Sequence, residues 1–468
     1  MNNKLHLYKL SLFSRIYLII LIFCQLLRID ANPIEEWVSK YDRAGNDDRA
    51  CDIKVDINGN VYITGYTTFP GTTYDYTTIK YNSSGLEEWI AIYNYVDYDL
   101  AKAIEVDNLG NVYVTGESDN QPGTSFTSYD YATIKYNNAG VQQWIARYNS
   151  PGNADDVAID IALDENGNVY VTGRSHYLSN LFDYLTIKYN SSGIEQWTVR
   201  YNGIGNGNDI PHALVVDSIG NVYVTGESLA GDGYVDCLTI KYNTNGVEQW
   251  TARYNGIGGG NDIANDIAID KNNNIYITGS SIGSSAYYDY ITIKYNNNGE
   301  EQWVERFNGS GNRSDTANAI ALDSYGSVFV TGDSFSTGSS HDYVTIKYNS
   351  DGVEQWVNRY NGTGNGADQP SDITIDYSDN VYITGRSDSS GAYLWDVVTL
   401  KYDNSGTLKW EKSYNSMETN EDKGIAITTD IKDNVYITGY TYNPGFYYDF
   451  LTIKYSQSVS TDDLWINY

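Results

Sequence analysis

The chain has 468 residues, 41% of them hydrophobic and 14% aromatic with 46 tyrosines, and its formal charge at pH 7 is −30. That apolar content supplies a large core, while the charge repels phosphate backbones and anionic membrane surfaces, which excludes nucleic acid as a partner. Three cysteines and four histidines leave little material for disulfide or metal chemistry.

In residues 1–31, Lys4, Lys9 and Arg15 precede an apolar stretch at 16–27 and a small residue, Ala31. This layout predicts a secretory signal peptide, and an apolar run of that length is too short to span a bilayer. The mature protein is expected to be secreted or displayed at the cell surface, with no membrane span once the leader is removed. Removal takes away four basic residues and one acid, leaving 26 − 59 = −33.

From residue 32 onward one passage recurs eight times. Its centre reads Asn-Val-Tyr-Val-Thr-Gly at 111–116 and 221–226, and its closing glycines are Gly65, Gly116, Gly173, Gly226, Gly279, Gly332, Gly385 and Gly439, spaced by 51, 57 and then 53 or 54 residues. A period of that size built from strand-type segments predicts a propeller or solenoid. Within 212–254, an apolar run, turn residues at 218–221, an alternating strand and a polar loop lead to two further strands joined by Asn243-Thr244-Asn245-Gly246. Each repeat is thus expected to be a four-stranded antiparallel meander. Eight such sheets stacked radially give an all-β, eight-bladed β-propeller. Residues 35–41 have the character of a fourth strand and the last repeat ends after its third, 449–455, so the N-terminal strand is expected to complete the last blade. The division is a leader at 1–31, one propeller domain at 32–455 and a tail at 456–468, in a monomer.

Pairing the third and fourth strands through their four-residue turn sets Lys188 opposite Glu195, Lys241 opposite Glu248, Lys294 opposite Glu301 and Lys347 opposite Glu354. The same register sets Asp130, Asp183, Asp236, Asp289 and Asp342 opposite Arg147, Arg200, Arg253, Arg306 and Arg359. At the closure it sets Lys454 against Glu35 and Asp449 against Lys40. Complementary signs across strands fix register more than they stabilise.

The stretch Asp-x-x-Gly-Asn-Val-Tyr-Val-Thr-Gly, followed by Asp-Tyr-x-Thr-Ile-Lys-Tyr-Asn and Gly-x-Glu-Gln-Trp, resembles the SBBP-type bacterial β-propeller repeat across 34–455. The resemblance implies a propeller in an exported or surface-attached bacterial protein, a group mostly without an assigned role. Its members are often seven-bladed, and eight copies depart from that.

Two octets of aspartate recur. Asp48, Asp99, Asp156, Asp209, Asp262, Asp315, Asp368 and Asp422 precede each first strand and would meet at the mouth of a central channel. Beside Gly/Asn-rich loops they are candidate ligands for Ca2+, or else acceptors for the backbone amides of their own turns. No cofactor is required by the pattern. Asp75, Asp130, Asp183, Asp236, Asp289, Asp342, Asp396 and Asp449 open each third strand and are read as structural partners of the arginines. The tryptophans Trp37, Trp89, Trp144, Trp197, Trp250, Trp303, Trp356 and Trp410 are expected between adjacent sheets, with sugar stacking the sharper alternative.

The loops that break the repeat, 66–74, 117–129, 174–182 and 386–395, are the candidate binding elements. They bring Tyr66, Tyr74, Phe126, Tyr129, His176, Tyr177, Tyr393 and Trp395 to one face, a mixture suited to a neutral glycan or a basic protein patch. Catalysis needs a set of residues that breaks the symmetry. Arg174, His176 and Tyr177 in one loop come nearest to it. The sequence therefore favours a secreted or cell-surface, non-catalytic binding scaffold. The alternative is a propeller enzyme acting on extracellular polysaccharide as a lyase or hydrolase. A quinoprotein-like dehydrogenase is suggested by Gly-x-x-x-Trp but lacks an adjacent cysteine pair.

Overall fold

The alternation of apolar and polar residues ends, in every repeat, at an aspartate that builds its own turn. Asp56 accepts the amides of Asn58 (2.8 Å) and Asn60 (2.9 Å) on one oxygen, and the side chains of Asn60 (2.7 Å) and Tyr62 (3.1 Å) on the other. That closes the hairpin between strands Asp48–Val55 and Val61–Thr68. The pairing of these strands shifts between Ala50 and Asp52, a bulge that brings the two backbones together at Gly65. A Cβ there would stand 2.1 Å from the Arg49 carbonyl oxygen, so no other residue fits.

The computed structural model describes residues 32–457 apart from 44, 70–72, 121–127, 178, 285, 390–393, 417–420, 444 and 446, and of residues 177, 179 and 180 it describes the backbone alone. The leader, Phe126, Tyr393 and most of the tail lie outside the described residues. Among the described residues the strands form eight sheets of four antiparallel strands. Blades 1 to 7 occupy 48–93, 99–148, 156–201, 209–254, 262–307, 315–360 and 368–414. Blade 8 takes its first three strands from 423–429, 435–443 and 447–456, and its fourth from the N-terminal strand Ile34–Tyr41, which closes the ring. The architecture is an all-β, eight-bladed propeller. No helix among the described residues is long and apolar enough to cross a membrane.

The register between third and fourth strands differs from the expected one. Glu195 opposes Tyr189, Trp197 opposes Lys188 and Arg200 opposes Leu185, because a bulge at Lys188/Tyr189 follows the turn. The turn itself is held by Asn190, whose side chain accepts the amides of Ser192 and Ile194 at 3.0 Å. None of the four expected Lys–Glu pairs forms among the described residues. At the closure Trp37 faces Lys454 and Lys40 faces Leu451, and Lys454 pairs with Glu36 (3.0 Å) rather than Glu35. The Asp–Arg pairs do form, but diagonally, as in Asp183–Arg200 at 3.1 Å.

The displaced lysines join neighbouring blades. Lys188 Nζ passes over the Tyr170 ring and donates to the Thr244 carbonyl of the next blade (3.2 Å), as Lys241 does to Asn297 (3.2 Å) and Lys294 to Ser350 (2.7 Å). The tryptophans follow the same route. Trp197 lies between Tyr170 and Tyr242, donates Nε1–H to Thr244 O (3.0 Å), and packs on Gly246 of the next blade. The apolar clusters therefore sit between blades, as with Tyr62 and Tyr76 of blade 1 against Ile104, Val112 and Ile134 of blade 2. At the seam Trp37 and Phe450 of blade 8 pack with Ile53, Val61 and Tyr81 of blade 1.

Candidate binding face

Octet one lies within the blades rather than on a shared axis. Asp48, Asp99, Asp156, Asp209, Asp262, Asp315 and Asp368 are 0% exposed and Asp422 is 1% exposed. Each takes an amide from the loop before its strand and another donor from the end of the second strand. Asp209 accepts Gly203 N (2.7 Å) and Leu229 N (3.1 Å), Asp315 accepts Gly309 N (2.6 Å) and Phe335 N (3.0 Å), and Asp422 accepts Ser416 N (2.9 Å) and Thr441 Oγ1 (2.7 Å). The Gly/Asn-rich loops turn amides, not carbonyls, toward the carboxylates. Burial pushes Asp48 up to about 7 and Asp99 and Asp156 up to about 6. Among the described residues no group of three or more His, Cys, Asp or Glu is arranged to hold a metal ion.

In blades 2 to 6 an arginine and a serine connect the two octets. In blade 3, Arg200 reaches Asp183, donates to Ser175 Oγ (2.5 Å), and Ser175 Oγ donates to Asp156. Arg147, Arg253, Arg306 and Arg359 repeat the link through Ser118, Ser228, Ser281 and Ser334. Blades 7, 8 and 1 have Ser413, Lys40 and Ile92 at the arginine position, and in blade 1 Arg43 pairs with Asp75 (2.5 Å) from the preceding loop.

The sequence-predicted binding residues divide by blade on the face that carries both octets. Tyr66 and Tyr74 of blade 1 meet edge to face at 4.9 Å, and Tyr74 meets Tyr98 of blade 2 at 5.6 Å. Trp395 of blade 7 lies under Arg386 (4.2 Å) and donates to Ala367 O (3.2 Å). Tyr129 of blade 2 takes Asp155 Oδ1 on its amide (3.3 Å). In blade 3 His176 stacks on Phe182 at 3.9 Å, with Arg174 over the same ring at 4.6 Å. Burial holds the imidazole below its ordinary pKa. Sequence reasoning missed the residues that join these into a surface. Arg49 lies over both Tyr448 (4.5 Å) and Tyr440 (5.0 Å), and Tyr440 donates to Glu421 (3.0 Å). Glu421 also pairs with Arg386, whose Nε donates to Gln369 Oε1 (3.0 Å). Blades 7, 8 and 1 thus carry one continuous band of aromatic, cationic and acidic groups. The signal available was that Arg49 and Glu421 occupy repeat positions that the other blades fill with different residues.

First strands line the axis, and there the blades alternate. The position just after the bulge holds Asp52, Asp160, Asp266 and Asp372 in blades 1, 3, 5 and 7, and Ala103, Ala213, Ala319 and Ala426 in blades 2, 4, 6 and 8. Each aspartate accepts the amide after its neighbour's alanine: Ile104 (3.0 Å), Leu214 (2.8 Å), Ile320 (2.8 Å) and Ile427 (2.8 Å). Burial, with the charges of the other ring members behind it, raises Asp266 to about 7 and Asp160 and Asp372 to about 6. Lys54, paired with Glu105 (3.1 Å), is the cation near Asp52 and Asp160.

Comparison with known proteins agrees with this architecture. The β-propeller repeat family SBBP matches residues 43–71, 143–177, 196–234, 249–285 and 355–391. An uncharacterized WD repeat-containing protein of Acanthamoeba polyphaga mimivirus is 24% identical over 78% of this chain, which spans 31% of that protein's length. Among solved structures, the polysaccharide lyase Uly1 aligns with TM-score 0.46 and 12% identity, covering 79% of this chain and 93% of that one. A virginiamycin B lyase from Staphylococcus aureus aligns with TM-score 0.44 and 11% identity, covering 89% and 98%.

Blades 7, 8 and 1 differ from the other blades at the arginine position of the fourth strand. Blades 2 to 6 keep the fourth-strand arginine, whereas blades 7, 8 and 1 lack it and carry Arg386, Lys423 and Arg49 on the rim of the axis, where blade 3 also has Arg174.

Proposed function

We propose that this protein is an exported or cell-surface, non-catalytic propeller that binds a glycan on the face formed by the loops between second and third strands, centred on blades 7, 8 and 1. One observation carries the reading: the residues that architecture does not require converge there, with Arg49 set between Tyr440 and Tyr448 and Arg386 over Trp395. Aromatic faces beside fixed hydrogen-bonding groups suit the mixed apolar and polar surface of a sugar. Fold alone licenses no activity. The layout of 1–31 supports export, which fractionation of cells producing the full chain tests directly.

A glycan array on the purified protein tests the binding, with Arg49→Ala and Tyr448→Ala as probes of the sector. Specific signals lost in both variants, with melting unchanged, support the reading. A blank array, or signals untouched by either variant, overturns it. New reducing ends or unsaturated products released from a bound polysaccharide would establish the enzymatic alternative instead.

A further inference from the structure

On the rim of the axis, the residue after each octet-one aspartate pairs with a residue of the second strand. In blades 7, 8 and 1 these pairs are Gln369 with Arg386, Lys423 with Tyr440, and Arg49 with Tyr66. In blades 4, 5 and 6 they are Ile210 with Glu227, Ile263 with Ser280, and Thr316 with Asp333. In blades 2 and 3 they are Leu100 with Glu117 and Val157 with Arg174, so the rim has one isolated cation in blade 3 and three in the consecutive blades 7, 8 and 1.

The three cations are not equivalent. Arg386 is consumed by Glu421 and Gln369, and Arg49 lies between two tyrosine rings with Asp47 at 3.9 Å. Lys423 has no hydrogen bond or ion pair among the described residues. It opens into a recess of about 420 Å³ between blades 6, 7 and 8, with Asn318, Asp333, Gln369, Ser371 and Ile425 around it. Asp333 is the acid there, and His341 Nδ1 sits 2.7 Å from it, which raises the imidazole's pKa. Gln369 gives its oxygen to Arg386, which leaves its amide nitrogen as a donor, and the Ser371 hydroxyl has no protein partner among the described residues. An ammonium, an amide and a hydroxyl thus converge on one recess with no acceptor for them among the described residues. Burial and the nearby Arg386 push the Lys423 pKa down, with Glu421 opposing, so an unpaired charge is held there at a cost that an anion would relieve.

We propose that this recess is an anion subsite of the glycan-binding face, and that it takes the carboxylate of an acidic saccharide with Lys423 as its anchor. The proposal rests on the glycan reading and sharpens it from neutral to uronate-type sugars. Tyr440, paired with Lys423 across the strands, and the Tyr66–Tyr74 pair beyond it extend the surface along which the sugar chain would lie. Asp333 and Glu421 flank the recess, so it suits a carboxylate on a sugar ring better than a dense run of phosphates or of acidic side chains.

The test is calorimetric titration of the full chain with a short oligomer of galacturonic acid, with the matching oligomer of galactose, and with poly-glutamate. The acidic saccharide should bind at least about tenfold more tightly than the neutral one, weakening as salt is raised, as a charge-assisted contact requires. Lys423→Ala should lose at least about tenfold in affinity and Lys423→Arg should keep most of it. Ser371→Asp, which sets a rival carboxylate in the recess, should cost as much and serves if Lys423→Ala does not fold. Equal binding of the two oligomers, or tighter binding of the neutral one, overturns the charge chemistry and leaves the glycan reading standing. Full affinity in Lys423→Ala and Ser371→Asp removes the site while the face survives. Poly-glutamate binding as tightly as the uronate, and lost with Lys423, makes the ligand an acidic polypeptide and overturns the saccharide. No binding of any oligomer overturns the uronate subsite, while the glycan array still decides the glycan reading.

Discussion

An aspartate at the start of a strand can serve its own backbone or an ion, and what surrounds it decides. Asp315 receives the amides of Gly309 and Phe335, and Ser334 adds its hydroxyl. Every neighbour is a donor, so the carboxylate acts as the acceptor that ends two loops. Truncation would leave those amides buried and unpaired. Asp315→Ala should lower stability by about 1–3 kcal/mol, and Asp315→Asn by less, since it keeps one acceptor oxygen. Urea unfolding of the two variants checks both, and a neutral Asp315→Ala would show that water satisfies the loop. These carboxylates already accept hydrogen bonds from amides, which favours the backbone role over calcium. Chelator should therefore leave the melting midpoint where it was, and a drop on adding EDTA would restore the metal reading of the octet.

At the scale of strands and turns, much was legible and some was not. The turn chemistry of Asp56 and Asn190 is local, and its residues read directly as hairpin ends. The bulge opposite Lys188/Tyr189, which leaves Gln196 unpaired on the fourth strand, has no such signature, because no glycine, proline or other turn residue marks it. A register counted from the turn therefore slips, and the lysine expected to meet a glutamate in its own blade reaches the next blade instead. The rim sector was hidden for another reason. Arg49 and Tyr448 are neighbours only because the ring closes, and nothing near either residue in the sequence announces the other. The Trp–Gly contact does follow from the repeat, and it makes a sharp prediction. Gly246 has φ +77, and a Cβ on it would stand 2.8 Å from the Trp197 indole. Gly246→Ala should cost about 1–3 kcal/mol from backbone strain alone, with the displaced indole adding to it. A thermal melt of the variant, with indole fluorescence reporting on Trp197, decides the matter, and an unchanged midpoint would mean that the blades are looser at their outer edge than the contact implies.

For the molecule as a whole, the alternating axis ties blades in pairs and sets how stability follows pH. The ring members Asp160, Asp266 and Asp372 and the loop acceptors Asp48, Asp99 and Asp156 all titrate between about 6 and about 7, above the value near 3.9 of an unfolded aspartate. A raised carboxylate pKa means that the folded chain holds protons the unfolded chain has released. Stability is then complete at low pH and falls as pH rises from about 4 through about 7. His341, raised by Asp333, adds in the same direction, while His176 and His212, lowered by burial, oppose it below about pH 6.5. The carboxylates outnumber those two imidazoles, so the melting midpoint should be higher near about pH 5.5 than near about pH 8 by several degrees. Asp266→Asn keeps an acceptor for Ile320 and removes one charge that faces Asp160 and Asp372. It should raise the midpoint at about pH 8, leave it nearly unchanged at about pH 5.5, and flatten the profile between them. Ala319→Asp should do the opposite, because it sets a further carboxylate between Asp266 and Asp372 where the alternation now places a methyl group. A wild-type profile flat across this range, or one steepened by Asp266→Asn, would mean that the ring is fully hydrated and that the pairing of blades rests on their apolar faces alone.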